Sequence, residues 1–594
     1  MNDELMINFT SLTIKTCFNN YYVVPEYQRE YVWDRQQVEQ LMADLEEAFQ
    51  NDPKKEYFLG SIVTYKADQY FELIDGQQRL TTFFLILCAL KRIYEKNKES
   101  STIVNNLIRS EDINSDGDTI TMYHLQLQYE EASNYLELIH QGQDKPAYVT
   151  ASGLRLFEAV QIIESYIEEK IPDYSDQKKL AAFLLNKTRF IQIETYDMTD
   201  ALKIFETINQ RGIGLNPMDL LKNMIFRQVK RDKFIELNQS WKQITLALEK
   251  INEKPLRFLR YFIMSNYDLS SVKDGILRED QIYDWLSKNN SQCQYEEKPF
   301  AFVQKMKQNV DRYCEYLQAK GDDSGSISLS NIALLAGRSY KLHLVLLLAG
   351  AEMEQKTFTK FKKLLESIVY YAVINKITTN NTERIFAEWC PAVRKIRTEQ
   401  DLDYFITEYV RPRISQWKTN HEQMFLRLGL KSMQQYRIKF IMAKITAYVD
   451  VQRQGKEETG PLNRYIDYSV EIEHIMPQTC TDIASYGMTQ EEFDAYINRL
   501  GNLTLLENSI NKSIHNKKYE EKKEEYKKSN FYLTRSIPEL VDQGNDTAIN
   551  RTNKKLHSWN IWNKASIEER QEMLYILSEE IWGIPNTISA LPGY

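Results

Sequence analysis

Apolar and polar positions follow different rhythms along this chain, and each rhythm predicts a different kind of element. Residues 56–65 (EYFLGSIVTY) and 70–74 (YFELI) are rich in β-branched and aromatic side chains and are bounded by turn or polar residues, which predicts two strands. Residues 79–94 then set Leu80, Phe83, Phe84, Leu87 and Leu90 on one broad face, the spacing of a buried helix. Residues 104–190 read as mostly helical, and residues 189–194 as a further strand leading into a helix and the string 205–222. From about 226 to 400 the period is helical almost throughout, as in residues 358–376 (FTKFKKLLESIVYYAVINK), with polar patches such as 319–329 (AKGDDSGSISL) as loops. Residues 401–465 look helical and basic, with 455–461 (GKEETGP) as a connector. Beyond them, residues 470–473 and 503–506 predict two short strands, and a Lys/Glu-rich helix is expected from about 511 to 528. No repeat of fixed period and no extended low-complexity tract interrupts this order.

The expected fold class is therefore mixed α/β, helix-rich and multidomain. An α+β segment covers residues 1–225, a helical connector 226–400, and a basic helical segment with a small strand-strand-helix unit 401–594. A length of 594 residues exceeds what one hydrophobic core supports and implies about two to four domains. Apolar runs such as residues 83–90 are too short to span a bilayer, and no membrane partner is expected. Residues 1–20 include Asp3 and Glu4 and no apolar signal core, so a cytoplasmic location is expected. The six cysteines form no CxxC, which fits a reducing compartment and argues against a zinc ribbon. Net charge is −8, so a nucleic-acid partner is not advertised globally. Locally, ten Lys/Arg lie within residues 411–456 against only Glu422 and Asp450, interleaved with aromatics such as Trp417 and Tyr436. Arg437, Lys439 and Lys444 are candidate contacts to a phosphate backbone there; the alternative is amphipathic helices with solvated lysines.

Two strings carry chemistry. The first is Asp75-Gly76-Gln77-Gln78-Arg79-Leu80-Thr81-Thr82, where a strand runs into a glycine and a helix begins by Leu80. Backbone N–H groups and the positive helix end would converge there on an anion. Arg79 would fork onto phosphate oxygens, Gln77, Gln78, Thr81 and Thr82 would add polar contacts, and Asp75 would hold magnesium through water. A plain capped turn is the alternative, with Asp75 starting the helix and Gly76 supplying a positive φ.

The second string starts at Glu473-His474-Ile475-Met476-Pro477 and is answered by Leu500-Gly501-Asn502-Leu503-Thr504-Leu505-Leu506 and Asn511. Strand, strand and helix around one ion form a ββα-metal arrangement, which contains what phosphodiester hydrolysis needs. His474 is the candidate general base, Glu473 and Asn511 the candidate ligands of Mg2+ (or Mn2+), and Asn502 the group that holds the imidazole. His515 is a rival ligand, and Lys522 a candidate phosphate contact.

Pro25–Trp33 (PEYQREYVW), the DGQQRLTT string and FETINQRGIGLNPMDLLKN from Phe205 onward together resemble the ParB-like amino-terminal domain of GmrSD-type restriction endonucleases. Residues 465–530 resemble the HNH carboxy-terminal part of the same enzymes, through EHIMP, LGNLTLL and the step from Asn502 to Asn511. The chain departs from many HNH sites in having Glu473 in place of Asp and Asn511 in place of His. The resemblance implies binding and hydrolysis of a nucleoside triphosphate (GTP, ATP or another) at Asp75, Gly76, Gln77, Gln78, Arg79 and Thr81. It marks Tyr27, Gln28 and Arg29 for contact with nucleotide or DNA. It further implies a nucleotide-regulated, metal-dependent DNA endonuclease of a bacterial anti-phage restriction system, cutting foreign or modified DNA. A homo-oligomer or other defence-system proteins would be its partners. Alternatives are a nucleotide-gated DNA sensor that does not cut, against which the intact Glu473, His474, Asn502 and Asn511 argue, and a toxin-like nuclease acting on RNA or host DNA.

Overall fold

The computed structural model describes residues 7–25, 28–67, 69–113, 117–129, 132–196, 204, 217–230, 233–272, 275–319, 323–480 and 483–585. Most of the third amino-terminal string, residues 205–216, and the candidate contact Tyr27 lie outside the described residues. Two compact units form, one of residues 1–245 with 283–304, the other of 246–282 with 305–594. The molecule is helix-rich, with a mixed sheet in its amino-terminal region. Among the described residues no helix is long and apolar enough to cross a membrane.

The first unit is built on a six-stranded sheet. Its strands are β1 (Ile7–Thr13), β2 (Tyr22–Val24), β3 (Tyr57–Lys66), β4 (Phe71–Asp75), β7 (Leu125–Leu127) and β8 (Thr188–Thr195), in spatial order β1-β8-β3-β4-β2-β7. A separate exposed hairpin pairs β5 (Arg109–Ile113) with β6 (Thr119–Tyr123). Residues 109–113, 119–123 and 125–127, expected to be helical, thus form three short strands. Strand pairing is mixed: β3 runs antiparallel to β4 and parallel to β8. Helix α1 (Arg35–Asn51) starts on a capping box made by Asp34 and Gln37. Helix α2 (Gln77–Lys96) begins two residues earlier than the apolar spacing predicts and is buried along nearly its whole length. Its core partners include α3 (Ala151–Lys170) and side chains such as Phe18, Leu73 and Phe190.

The second unit is predominantly helical. Helix α4 (Ser324–Ala336) begins inside the polar patch expected to be a loop. Asp323 caps it, accepting from the Gly325 and Ser326 amides at 3.0 and 3.1 Å. It packs on α5 (Gln355–Ile374), which is followed by α6 (Thr379–Val393), α7 (Arg411–Leu426) and α8 (Gln435–Arg453). Residues 454–462 are irregular, as the connector composition requires. Strand β9 (Val470–His474) pairs antiparallel with β10 (Leu503–Glu507), His474 opposite Leu503 and Glu473 opposite Thr504. The expected single helix over 511–528 is two helices, α9 (Asn508–Ile514) and α10 (Tyr519–Tyr526), broken where His515 adopts a φ of +43°.

The turn before β10 rests on the last long helix, α11 (Lys564–Trp582). Arg570, fully buried, donates to the carbonyls of Gly501 (2.9 Å) and Leu503 (2.6 Å), while the Gln571 side chain accepts the Gly501 amide and donates to the Phe425 carbonyl. A Cβ on Gly501 would lie 2.2 Å from the Ile567 carbonyl oxygen, so only glycine permits this approach.

Candidate functional site

The amino-terminal string forms the β4–α2 corner. Gly76 has a φ of +88°, and a side chain there would strike Ile62. Gly76 starts the helix without a side-chain cap. The glutamines reach back to the PEYQREYVW segment: Gln77 donates to the Arg29 carbonyl (3.1 Å), and Gln78 donates to the Glu30 carbonyl (3.0 Å) while accepting the Val32 amide (2.9 Å). Two of the three resemblance strings are thereby joined in space. Arg79 turns toward β3, donating to the carbonyls of Leu59 (2.6 Å) and Ser61 (2.9 Å) across a bulge at Gly60. Thr81 and Thr82 are buried; Thr82 bonds the Gln78 carbonyl and shares a hydrogen with the Tyr31 hydroxyl. Burial raises the Asp75 carboxyl above its usual range, with Arg79 and Arg29 pulling against that shift. Two shielded polar atoms, Gln28 Nε2 and Gln77 Oε1, have no hydrogen-bond partner among the described residues. The corner is thus a braced framework with one donor and one acceptor unanswered.

At the carboxy-terminal site, β9 ends on the two residues of interest. His474 is buried; its Nδ1 contacts Gln478 Nε2 at 2.7 Å and its Nε2 contacts Asn498 Oδ1 at 3.3 Å. With the amides oriented so, the proton sits on Nε2 and Nδ1 is the basic nitrogen. Burial lowers the imidazole pKa, the Lys522 charge adds to that, and Asn498 opposes it. The shift favours the neutral ring. Glu473 is also buried, bonded to Lys522 Nζ at 2.6 Å and to the Tyr526 hydroxyl at 3.1 Å. Burial pushes this carboxyl up and the Lys522 ammonium down, while each supports the charge on the other.

Three sequence expectations change here. Asn502 does not hold the imidazole. It is fully buried, accepting from the Met476 amide (2.8 Å) and the Trp562 indole (2.9 Å) and donating to the Ile497 carbonyl (2.9 Å). Lys522 is no solvent-facing phosphate contact, because it is buried against Glu473 and the His474 carbonyl. Asn511 bonds Glu471 (2.5 Å), not Glu473. His515, at the end of α9, is exposed. The imidazole partners Gln478 and Asn498 were missed by sequence reasoning, although Gln478 stands only four residues past His474.

Among the described residues no cluster of three or more His, Cys, Asp or Glu is arranged to hold a metal. The oxygens on this side of β9 still suit a hard cation that keeps most of its waters. Glu471 with Asn511 offers a carboxylate and an amide oxygen at an exposed position, whereas Glu473 offers a carboxylate already neutralised by Lys522.

Residues 14–226 match the GmrSD restriction endonuclease N-terminal domain, and residues 418–576 match the GmrSD restriction endonuclease C-terminal domain. The chain belongs to the GmrSD restriction endonuclease family. It is therefore a restriction nuclease with DNA as its substrate. No curated protein matches the sequence. The GmrSD N-terminal match holds the braced β4–α2 corner, and the C-terminal match holds His474, its two partners and the Glu473–Lys522 pair.

The basic segment of the GmrSD C-terminal region is largely built inward. Lys444 is buried in an ion pair with Glu366 at 3.3 Å, and Lys439 donates to the carbonyls of Asp467 (3.0 Å) and Val470 (2.7 Å) at the start of β9. Neither is placed to track a phosphate backbone. Arg437 bonds the Tyr436 hydroxyl (3.1 Å) and the Ala336 carbonyl (3.3 Å), remaining partly exposed.

Proposed function

We propose that this GmrSD-family chain is a nucleotide-regulated, metal-dependent endonuclease that cuts foreign or modified DNA in bacterial anti-phage defence. In this reading a ParB-like amino-terminal domain binds and hydrolyses a nucleoside triphosphate, and an HNH-type carboxy-terminal domain cuts. The observation that carries it is the buried His474 imidazole, fixed between Asn498 and Gln478 at the end of β9.

His474 Nδ1 takes the proton of the attacking water once that water replaces the Gln478 amide. Asn498 keeps the other nitrogen protonated and supports the imidazolium that results. A divalent cation, when bound, would neutralise charge on the scissile phosphate and the leaving oxygen. Glu471 with Asn511 can hold it without breaking an ion pair, and Glu473 can join if Lys522 releases it. At the other end, unanswered Gln28 Nε2 and Gln77 Oε1 beside Arg29 support a polar ligand, and a nucleotide is the one proposed.

The test is cleavage of modified and plain DNA, and of RNA, with magnesium or manganese and with or without nucleoside triphosphate. His474→Ala should abolish cutting while leaving the fold and DNA binding intact. Wild-type cutting by that variant would overturn the assignment.

A further inference from the structure

A half-open cavity of about 580 Å³ in the second unit lies between the end of α5, the start of α6 and the loop before α8. Its volume falls in the range of small-ligand sites. Val369, Val373 and Ile377 supply apolar lining, and Lys376, Lys431 and Arg437 supply cationic lining. No acidic residue lines it. None of the three cations has a carboxylate partner among the described residues. Thr378 and Thr379, the cap and first residue of the fifteen-residue helix α6, also line the cavity, so the positive end of a helix dipole adds to the three charges. Tyr340 lines it too, and its shielded hydroxyl has no hydrogen-bond partner among the described residues. Unopposed cations, apolar side chains and an unanswered hydroxyl around one cavity describe a receptor for an anion that carries an apolar group.

We propose that this cavity binds a nucleotide, its phosphate on Lys376, Lys431, Arg437 and the α6 start and its base against the apolar side chains Val369, Val373 and Ile377. The nucleotide is either free or one unit of the DNA strand. The cavity is linked to the imidazole. Lys431 follows Gly429, which bridges to Arg499, and the neighbouring Leu430 amide donates to the Asn498 carbonyl at 2.9 Å. Asn498 is the residue that holds His474 Nε2. A Cβ on Gly429 would sit 2.0 Å from the Asn498 carbonyl oxygen, so the two segments are in tight contact. A ligand that shifts the Lys431 loop therefore acts on the partner of the candidate base. The binding claim stands on the cavity alone, whereas its effect on cleavage rests on the nuclease reading.

The experiment uses the full chain with Lys376→Glu and Lys431→Glu together, both at exposed positions. Calorimetry with a non-hydrolysable nucleoside triphosphate counts nucleotide equivalents. Fluorescence anisotropy with a single-stranded DNA oligonucleotide, in a His474→Ala background, reads strand affinity. Loss of one nucleotide equivalent identifies a free nucleotide. A DNA affinity at least tenfold weaker, with nucleotide stoichiometry unchanged, identifies the strand. Wild-type values in both arms overturn the proposal. Should the charge reversals unfold the protein, Lys376→Ala with Lys431→Ala repeats both arms without introducing new charge. Neither arm measures cleavage, so a failure of the nuclease reading would appear separately, as absence of cutting by the wild type.

Discussion

Replacing Asn502 by alanine separates a framework role from a catalytic one. The side chain satisfies two buried donors, the Met476 amide and the Trp562 indole N–H, and itself donates to the Ile497 carbonyl. Alanine leaves both donors unpaired in surroundings that exclude water. At about 1–3 kcal/mol for each orphaned donor, the expected loss is about 3–5 kcal/mol, since the site has little room to relax. A loss of that size should lower the urea midpoint of the second unit by about 1 M or more. Asn498→Ala, at a partly exposed position, should cost under about 1 kcal/mol yet slow the chemistry, because it removes the partner of His474 Nε2. The assay pairs urea titration, followed by tryptophan fluorescence, with single-turnover cleavage under conditions where each variant is folded. Asn502→Ala should be unstable but near normal per folded molecule; Asn498→Ala should be stable but slow. An Asn502→Ala protein that unfolds at the wild-type urea concentration and still cuts far more slowly would show that Asn502 acts on the imidazole directly.

Lys522→Met should destabilise by about 3–5 kcal/mol, because the buried Glu473 carboxylate loses its ammonium, and adding Glu473→Gln should restore most of that. A double variant as unstable as the single one in thermal denaturation would mean the ion pair is not the cause. Lys444→Met should likewise cost about 3 kcal/mol, because the buried Glu366 carboxylate keeps its Asn331 and Trp582 hydrogen bonds but loses its counter-charge, while the dependence of DNA affinity on salt stays unchanged. A fall of about one in that log–log slope would instead identify a phosphate contact. Burial lowers the His343 pKa to about 3 from its ordinary value, and the ring stacks on Tyr340. A base with a depressed folded pKa binds protons more readily when unfolded, so its contribution is intact above about pH 6.5 and is lost progressively as pH falls toward 3. His343→Phe should therefore remove about 2 kcal/mol of the stability loss between pH 7 and pH 5, read as urea midpoints at the two pH values.

What the sequence made legible follows from how strongly each segment's own residues constrain it. Strands β3, β4, β8, β9 and β10 are runs of apolar or β-branched residues ended by polar ones, and they form where that pattern places them. The hairpin β5–β6 escaped because its strands bury almost nothing. RSEDI and TITMY are mostly exposed, so no alternating apolar face marks them. Helix α4 escaped for the opposite reason. Its serines looked like loop, yet Ser326 and Ser328 are buried where small side chains permit close packing. At the site, Glu473 and His474 were legible because they are adjacent in sequence, and their surroundings were not. The nearest cues to Lys522 are Glu520, Glu521, Glu524 and Glu525, which suggest a solvated face, whereas its partner comes from a strand about fifty positions earlier. Lys439 and Lys444 misled in the same way. A basic run records charge but not direction, and these side chains turn toward carbonyls and a buried carboxylate.

The buried Arg570 has a consequence for the order in which the molecule is made. It and Gln571 satisfy the backbone around Gly501 and Leu503, the turn that seats Asn502 against the backbone that follows the candidate base. A ribosome delivers His474 first and Arg570 long afterwards. Until α11 has emerged, the Gly501 amide and the carbonyls of Gly501 and Leu503 lack their partners, and the strand pair has no floor to close against. A nascent or truncated chain that already contains the whole EHIMP string therefore still lacks the floor of the candidate site, and on the nuclease reading proposed above it should not cut until α11 has been made.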